Sequence, residues 1–339
     1  MERTIVRVPT SERRCIGCEM IAARISVIVP CYNAARYVGA ALRSVLAQEG
    51  ERLELIVVDD GSSDGSADLV VQGFPGVTLL RQTNQGAAAA RNLGVRHASG
   101  EWIAFLDADD LWLPGKIAAQ WRAIDTKDAP RLVYTAWQEW TGEAVEPVPD
   151  DLASLLIGVD EPDNWRGPSG WIYPQLLLDC AVWTSTVMLH RSLFEEIGFF
   201  DTWLQVGEDY DFWLRASRVT AMVRVSRPYA LYRKHPQSLT KSAPAANYRG
   251  IVIERALSRW GFIGPDGAQA NASHVRRALA QSWSDCAWAH LQAGDLRPAR
   301  EASLHAMRVD WRHALGWKLL ARAWLRSLLR CKAARAHTS

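Results

Sequence analysis

The chain has 339 residues, and its 39 Lys/Arg against 37 Asp/Glu leave a formal net charge of +2, a balance that does not mark a nucleic-acid binder. Apolar residues at 48% and charged residues at 22% exclude a disordered or fibrous chain, and the length allows one large domain or two. No apolar run reaches the roughly 18 residues of a membrane-spanning helix, and six scattered cysteines predict reduced thiols in a cytoplasmic protein rather than a disulfide framework.

Residues 1–24 read as a poorly specified leader without a signal-peptide core. Within it, Cys15-Ile-Gly-Cys18 has metal-knuckle spacing but no second pair to complete a zinc site. Ile25 to Val29 is a β-branched run stopped by Pro30, and Asn33 is expected to cap a helix carrying Val38, Ala41, Leu42, Val45 and Leu46. A second apolar strand, Leu53 to Val58, ends in Asp59-Asp60-Gly61-Ser62-Ser63-Asp64-Gly65 and leads to a helix around Ala67 to Gln72. Val77 to Leu80 reads as a strand, Gln85 to His97 as an Ala-rich helix bearing Arg91 and Asn92, and Trp102 to Leu106 as a fourth strand. Such alternation predicts right-handed βαβ units and a mainly parallel sheet.

The fourth strand ends in Asp107, Asp109 and Asp110. Alone, three such acids read as a cap for the next helix, with Pro114 in its first turn. Beside Asp59 and Asp60, which also follow a strand, they mark the ligand edge of an open α/β sheet. Asp107 and Asp109 flank only Ala108, so both carboxylates can face one Mg²⁺ or Mn²⁺ ion that keeps positions open for phosphates. The chain has no Gly-x-Gly-x-x-Gly after its first strand and no Gly-Lys-Ser/Thr loop, which argues against a dinucleotide oxidoreductase and a P-loop NTPase. Phosphates bound here would fall to a metal and Arg91.

Lys116 to Ile124 continues as a helix, Leu132 to Trp137 as a strand, and residues 138–170 as a long variable loop. Thr184 to His190 reads as a strand, followed by a capping box from Ser192 to Glu195. Glu208, Asp209 and Asp211 lead a helix. The dipole favours acids there, yet it does not account for two adjacent like charges, and one of the pair suits a general base. Tyr229 to Arg233 is expected to be an edge strand, and the residues alone favour no ligand role for the loop residue His235.

Beyond Asn247 the pattern is helical, with a helix–turn–helix corner at Ala293 to Arg300. Near the end, Lys318, Arg322, Arg326 and Arg330 recur four apart beside Trp317, Leu320, Trp324 and Leu328. Such a helix either meets an anionic membrane surface or packs its Trp/Leu stripe on the protein. The expected organisation is a leader at 1–24, an α/β domain at 25–243 with halves 25–110 and 111–243, and a helical extension at 244–339.

From about Ile25 to Leu239 the chain resembles the family 2 glycosyltransferases. The likeness is carried by Ser26-Val-Ile-Val-Pro-Cys-Tyr-Asn33, Val57-Val-Asp-Asp-Gly-Ser-Ser-Asp64, Asn84-Gln-Gly86 with Ala90-Arg-Asn92, and Gly100 to Asp110. Gly207-Glu-Asp-Tyr-Asp-Phe-Trp-Leu-Arg215 and Tyr232-Arg-Lys-His-Pro-Gln-Ser238 complete it. The resemblance implies a GT-A fold and a non-processive, inverting enzyme, since the processive Gln-x-x-Arg-Trp motif is absent. It implies that Pro30, Tyr32, Asn33 and Asp60 hold the nucleotide, with Arg91, Asp107 and Ala108 near the base or diphosphate. Asp107 and Asp109 would take the Mg²⁺ or Mn²⁺, with His235 a further contact. Asp209 would be the catalytic base and Glu208 the less favoured one, while Trp183 and Trp203 would face a glycan or lipid-linked acceptor. The donor expected is a UDP-sugar, and the expected location is the cytoplasm or the inner face of its membrane. A sugar-nucleotide nucleotidyltransferase and a catalytically inactive binding module are the alternatives.

Overall fold

The computed structural model describes residues 5–7, 25–49, 52–124, 130–140, 167–234 and 246–336. The Cys15/Cys18 pair and His235 lie outside them. The chain divides into two compact units, Met1–Ile172 with Ala181–His235, and Tyr173–Cys180 with Pro236–Ser339.

In chain order the elements are β1 (Ile5–Arg7), β2 (Ile25–Cys31), α1 (Val38–Leu46), β3 (Leu53–Asp59), α2 (Ser66–Gly73), β4 (Thr78–Arg81) and α3 (Ala87–His97). Next come β5 (Trp102–Phe105), β6 (Leu111–Trp112), α4 (Lys116–Ile124), β7 (Leu132–Trp140) and α5 (Tyr173–Leu176), the last in the second unit. A 3₁₀ turn at Thr184–Thr186, β8 (Val187–His190), α6 (Ser192–Ile197), α7 (Glu208–Ala216) and β9 (Met222–Arg233) complete the first unit.

Among the described residues one nine-stranded sheet runs in the order β1-β4-β3-β2-β5-β8-β7-β9-β6. Strands β4, β3, β2 and β5 pair in parallel, as the βαβ rhythm requires. On the other side, β8 is antiparallel to both β5 and β7, while β7 and β9 are parallel. The apolar runs of β2 and β5 are buried, and each Val or Ile there contributes about 1.5–3 kcal/mol relative to exposure. Helix α3 approaches β2 closely at Gly94, where a Cβ would stand 2.5 Å from Ile28 Cγ2.

Several local expectations are revised. Asn33 does not cap α1. The helix begins at Val38, and Asn33 adopts φ 48°, a left-handed conformation that its short polar side chain tolerates. Asp110 caps no helix either, because α4 starts at Lys116 and its carboxyl is buried elsewhere. No side chain caps α6, so the Ser192–Glu195 box does not form; Ser192 Oγ meets His190 Nδ1 at 2.9 Å instead. Residues 138–140 extend β7 rather than opening a loop. Strand β9 is no edge, since β6 and β7 flank it.

The second unit contains α5, α8 (Tyr248–Trp260), α9 (Ala272–Ala293), α10 (Leu296–Val309) and α11 (Ala314–Ala336). Asn271 Oδ1 caps α9 by accepting from Ser273 N and His274 N. Gly294 at φ +85° turns the chain into α10, forming the predicted corner. Small residues let the last three helices close on Cys286, Ala287, Leu291, Ala299, Ala302, Leu319 and Ala323. The face of α11 that packs is therefore Leu319/Ala323, not the Trp/Leu stripe. Trp317, Trp324 and Leu328 stay more than half exposed.

Candidate active site

Strand β5 delivers the aspartates to the carboxyl edge of the sheet. Asp110 N donates to Asp107 O at 3.0 Å, closing a tight turn. That turn sorts the three acids: Asp107 and Asp109 stay half-exposed, and Asp110 is buried. The Asp110 carboxyl accepts from Ser185 Oγ at 2.6 Å, Trp183 Nε1 at 3.1 Å and Arg233 N at 3.1 Å. Burial, reinforced by the charges of Asp109 and Asp107, holds its pKa well above the usual carboxylate range. Asp110 is thus the internal anchor of the turn.

Arg91, expected near the base or diphosphate, is buried on α3 between two of the protein's own acids. Its Nη2 donates to Asp107 Oδ1 at 2.7 Å and its Nη1 to Glu208 Oε1 at 2.5 Å. Two of its nitrogens hold the protein's own acids and tie the end of β5 to the start of α7, while its buried Nε has no hydrogen-bond partner among the described residues. Glu208 is buried, and its pKa is pushed up to about 7 by burial, with the Asp209 charge adding and Arg91 opposing. Asp209 is half-exposed and accepts from Thr184 Oγ1 at 2.8 Å. The adjacent pair is therefore divided: one acid is locked inside and the other faces outward.

The second acidic strand end is occupied by structural bonds. Asp60 accepts from Gln82 Nε2 at 2.7 Å, Gln85 N at 2.9 Å and Gly86 N at 2.8 Å. Its two oxygens offer about four acceptor sites, so one remains on Oδ2. Asn33 Oδ1 accepts from Ser63 N at 2.9 Å, and Ala35 N donates to Asp64 Oδ2 at 2.8 Å, stitching the loop after β2 to the loop after β3. Tyr32 projects from this seam, 52% exposed, beside half-buried Pro30; Ala108 is buried.

The two tryptophans expected to face an acceptor are treated differently. Trp183 is half-buried, bound to Asp110, and clustered with Tyr232 and Trp137 at ring-centroid distances of 4.5 and 5.6 Å. Trp203 is exposed on the turn ahead of α7. Sequence reasoning missed Thr184, Ser185 and Arg233, which fix Asp209, Asp110 and the Asp109 carbonyl. Three consecutive hydroxyls, Thr184-Ser-Thr186, at the head of an apolar strand were the available signal.

For a metal, Asp107 and Asp109 offer hard oxygen donors, and Arg91 is bonded to only one Asp107 oxygen. Among the described residues no group of three His, Cys, Asp or Glu could hold an ion. Two carboxylates fit a divalent cation that completes its shell with substrate phosphates.

Residues 26–154 match the family described as Glycosyl transferase family 2. The UDP-Glc:alpha-D-GlcNAc-diphosphoundecaprenol beta-1,3-glucosyltransferase WfgD of Escherichia coli is 32% identical over 193 residues, covering 56% of this chain and 68% of that protein. The chain belongs to glycosyltransferase family 2. A Rickettsia bellii glycosyltransferase is 28% identical over 232 residues, 68% of this family 2 chain but 31% of the relative, so the chain spans about a third of that protein's length. Among solved structures, S. aureus TarS 1-349 in complex with UDP-GlcNAc aligns with TM-score 0.57 and 20% identity over 84% of this chain and 81% of that one. The mannosyltransferase PcManGT of Pyrobaculum calidifontis, in complex with GDP-Man and Mn²⁺, gives TM-score 0.51 and 18% identity over 91% and 88%. At such identities the likeness shows the fold, which is GT-A with a helical C-terminal unit.

Proposed function

We propose that this family 2 chain is a metal-dependent, inverting, non-processive glycosyltransferase that moves a sugar from a UDP-sugar to a hydroxyl of a glycan or lipid-linked acceptor. The observation that supports it most is the Arg91 bridge, because it ties the Asp107 strand end to the Glu208-Asp209 helix start within one site. The name of the E. coli relative adds a UDP-glucose donor and a diphosphoundecaprenol-linked acceptor.

In this reading Tyr32 and Asn33 receive the nucleotide base, and Asp60 Oδ2 accepts one hydrogen bond from it. Asp107 and Asp109 hold the Mg²⁺ or Mn²⁺, which when bound neutralises charge on the leaving diphosphate. Asp209 takes the proton of the acceptor hydroxyl as that oxygen attacks the anomeric carbon opposite the diphosphate. One carbon–oxygen bond forms, the bond to the diphosphate breaks, and the configuration inverts. Thr184 orients the Asp209 carboxylate, and Arg91 positions Asp107. The exposed Trp/Leu and Arg face of α11 suits peripheral contact with an anionic membrane.

A thermal-shift panel of UDP-glucose, UDP-GlcNAc and GDP-mannose with Mn²⁺ tests the donor. A ligand at about 100 times its Kd adds roughly 2.7 kcal/mol of stability, a shift that EDTA and Asp109→Ala should remove. Failure of every nucleotide-sugar to stabilise the protein, with or without metal, would overturn the reading.

A further inference from the structure

The helical unit carries a second concentration of charge. A cleft of about 510 Å³ lies where the start of α9 meets the α10–α11 turn, lined by Arg276, Arg277, Arg308, Arg312, His313 and Trp311 among others. Arg308 sits in the last turn of α10, where the helix dipole favours a cation. That accounts for one guanidinium and not for four around one cavity. Among the described residues the only acid in the lining is Asp310, and its Oδ1 accepts from Arg312 N at 3.0 Å.

Among the described residues none of the four arginines makes an ion pair. Two of them lie beside aromatic rings: Arg276 is 5.8 Å from the Phe262 ring centroid and Arg312 5.3 Å from that of Trp311. His313 Nε2 is buried and has no hydrogen-bond partner among the described residues. Four guanidiniums around one carboxylate leave an excess of positive charge, and an anion in the cleft offsets their repulsion. Guanidinium forks match phosphate oxygens in pairs, and the orphaned imidazole nitrogen adds one more contact. The cleft, open to solvent on one side, has room for a phosphate or diphosphate.

We infer that this arginine cleft is a phosphate-binding site of the helical unit, separate from the donor site, taking a phosphate or diphosphate group either free in solution or on a lipid headgroup. The inference stands whether or not the donor is a UDP-sugar, because none of its residues belongs to the GT-A unit.

The test uses the full chain and the charge-neutralised variant Arg276→Gln/Arg308→Gln, in EDTA so that no metal-dependent anion binding contributes. Inorganic pyrophosphate binding is followed by calorimetry. Co-sedimentation compares vesicles of phosphatidylcholine alone with vesicles containing phosphatidylglycerol. A basic residue near an anionic surface contributes about 1 kcal/mol, so losing two should weaken binding by roughly tenfold or more. Binding of pyrophosphate alone, weakened in the variant, assigns the cleft to a soluble anion. Binding of phosphatidylglycerol vesicles, weakened in the variant, assigns it to a headgroup. Pyrophosphate and vesicles bound equally by both proteins, or by neither, would overturn the site. Unchanged thermal unfolding, and unchanged nucleotide-sugar binding once Mn²⁺ replaces EDTA, separate loss of the cleft in the variant from loss of the fold or the donor site.

Discussion

Arg91→Met keeps the length and apolar stem of the side chain and removes the guanidinium between Asp107 and Glu208. The Arg91 and Glu208 side chains are 5% and 9% exposed, whereas that of Asp107 is 24% exposed. Stranding a buried charge costs about 3–5 kcal/mol, and that scale applies to Glu208. Asp107 regains water and adds no more than about 1 kcal/mol. The cost depends on pH in a defined direction. Glu208 in the folded protein has a pKa of about 7 against an ordinary 4.5, and losing Arg91 raises it further. A group whose folded pKa exceeds its unfolded one contributes stability that is present below the unfolded value and is lost as pH rises through the folded value. The substitution should therefore cost least near pH 5, where Glu208 carries a proton, and most near pH 8. At roughly 2–4 °C per kcal/mol for a unit of this size, Tm should fall by about 10 °C near pH 8 and by about half as much near pH 5. Thermal unfolding followed by circular dichroism across that range reads both numbers. A penalty under about 2 °C near pH 8, or one that does not vary with pH, would refute the buried-bridge reasoning.

Asp209→Asn should lower sugar transfer by about 10²-fold or more while leaving nucleotide affinity near that of the parent; turnover assays beside calorimetric nucleotide titration check it, and intact turnover would move the base elsewhere. Ser185→Ala removes the 2.6 Å donor to Asp110 and the acceptor of Asp107 N, and denaturant unfolding should show a loss of about 1–3 kcal/mol. Gly94→Ala forces a Cβ to within 2.5 Å of Ile28 Cγ2 and should cost about 1–3 kcal/mol through overpacking, measured in the same way. A neutral Gly94→Ala variant would mean that α3 can lift from β2 freely.

Much of the first unit was legible before any coordinate. The alternation of apolar runs and turns gave the parallel strands β2 to β5, and strand direction alone carried both acidic clusters to one edge. The Trp/Leu stripe of α11 was legible as a pattern but not as a packing face, because a helix with apolar residues on several sides can bury any of them. The choice fell to Leu319 and Ala323, which sit in the closely packed core with Ala287, Ala299 and Ala302.

The acids show the same division most sharply. Sequence determined that Asp107, Asp109, Asp110, Glu208 and Asp209 exist as two clusters at a strand end and a helix start. Which acid is buried, which is bridged and which faces out was decided only by the tertiary fold. Arg91 lies 16 residues from Asp107 and 117 from Glu208, and Ser185 and Thr184 reach Asp110 and Asp209 across 75 and 25. Local propensity acts over one turn of helix or one strand, whereas burial and ion pairing answer to whatever chain arrives from elsewhere. The identity of a carboxylate is thus written locally, and its protonation and task are set by partners that folding brings to it.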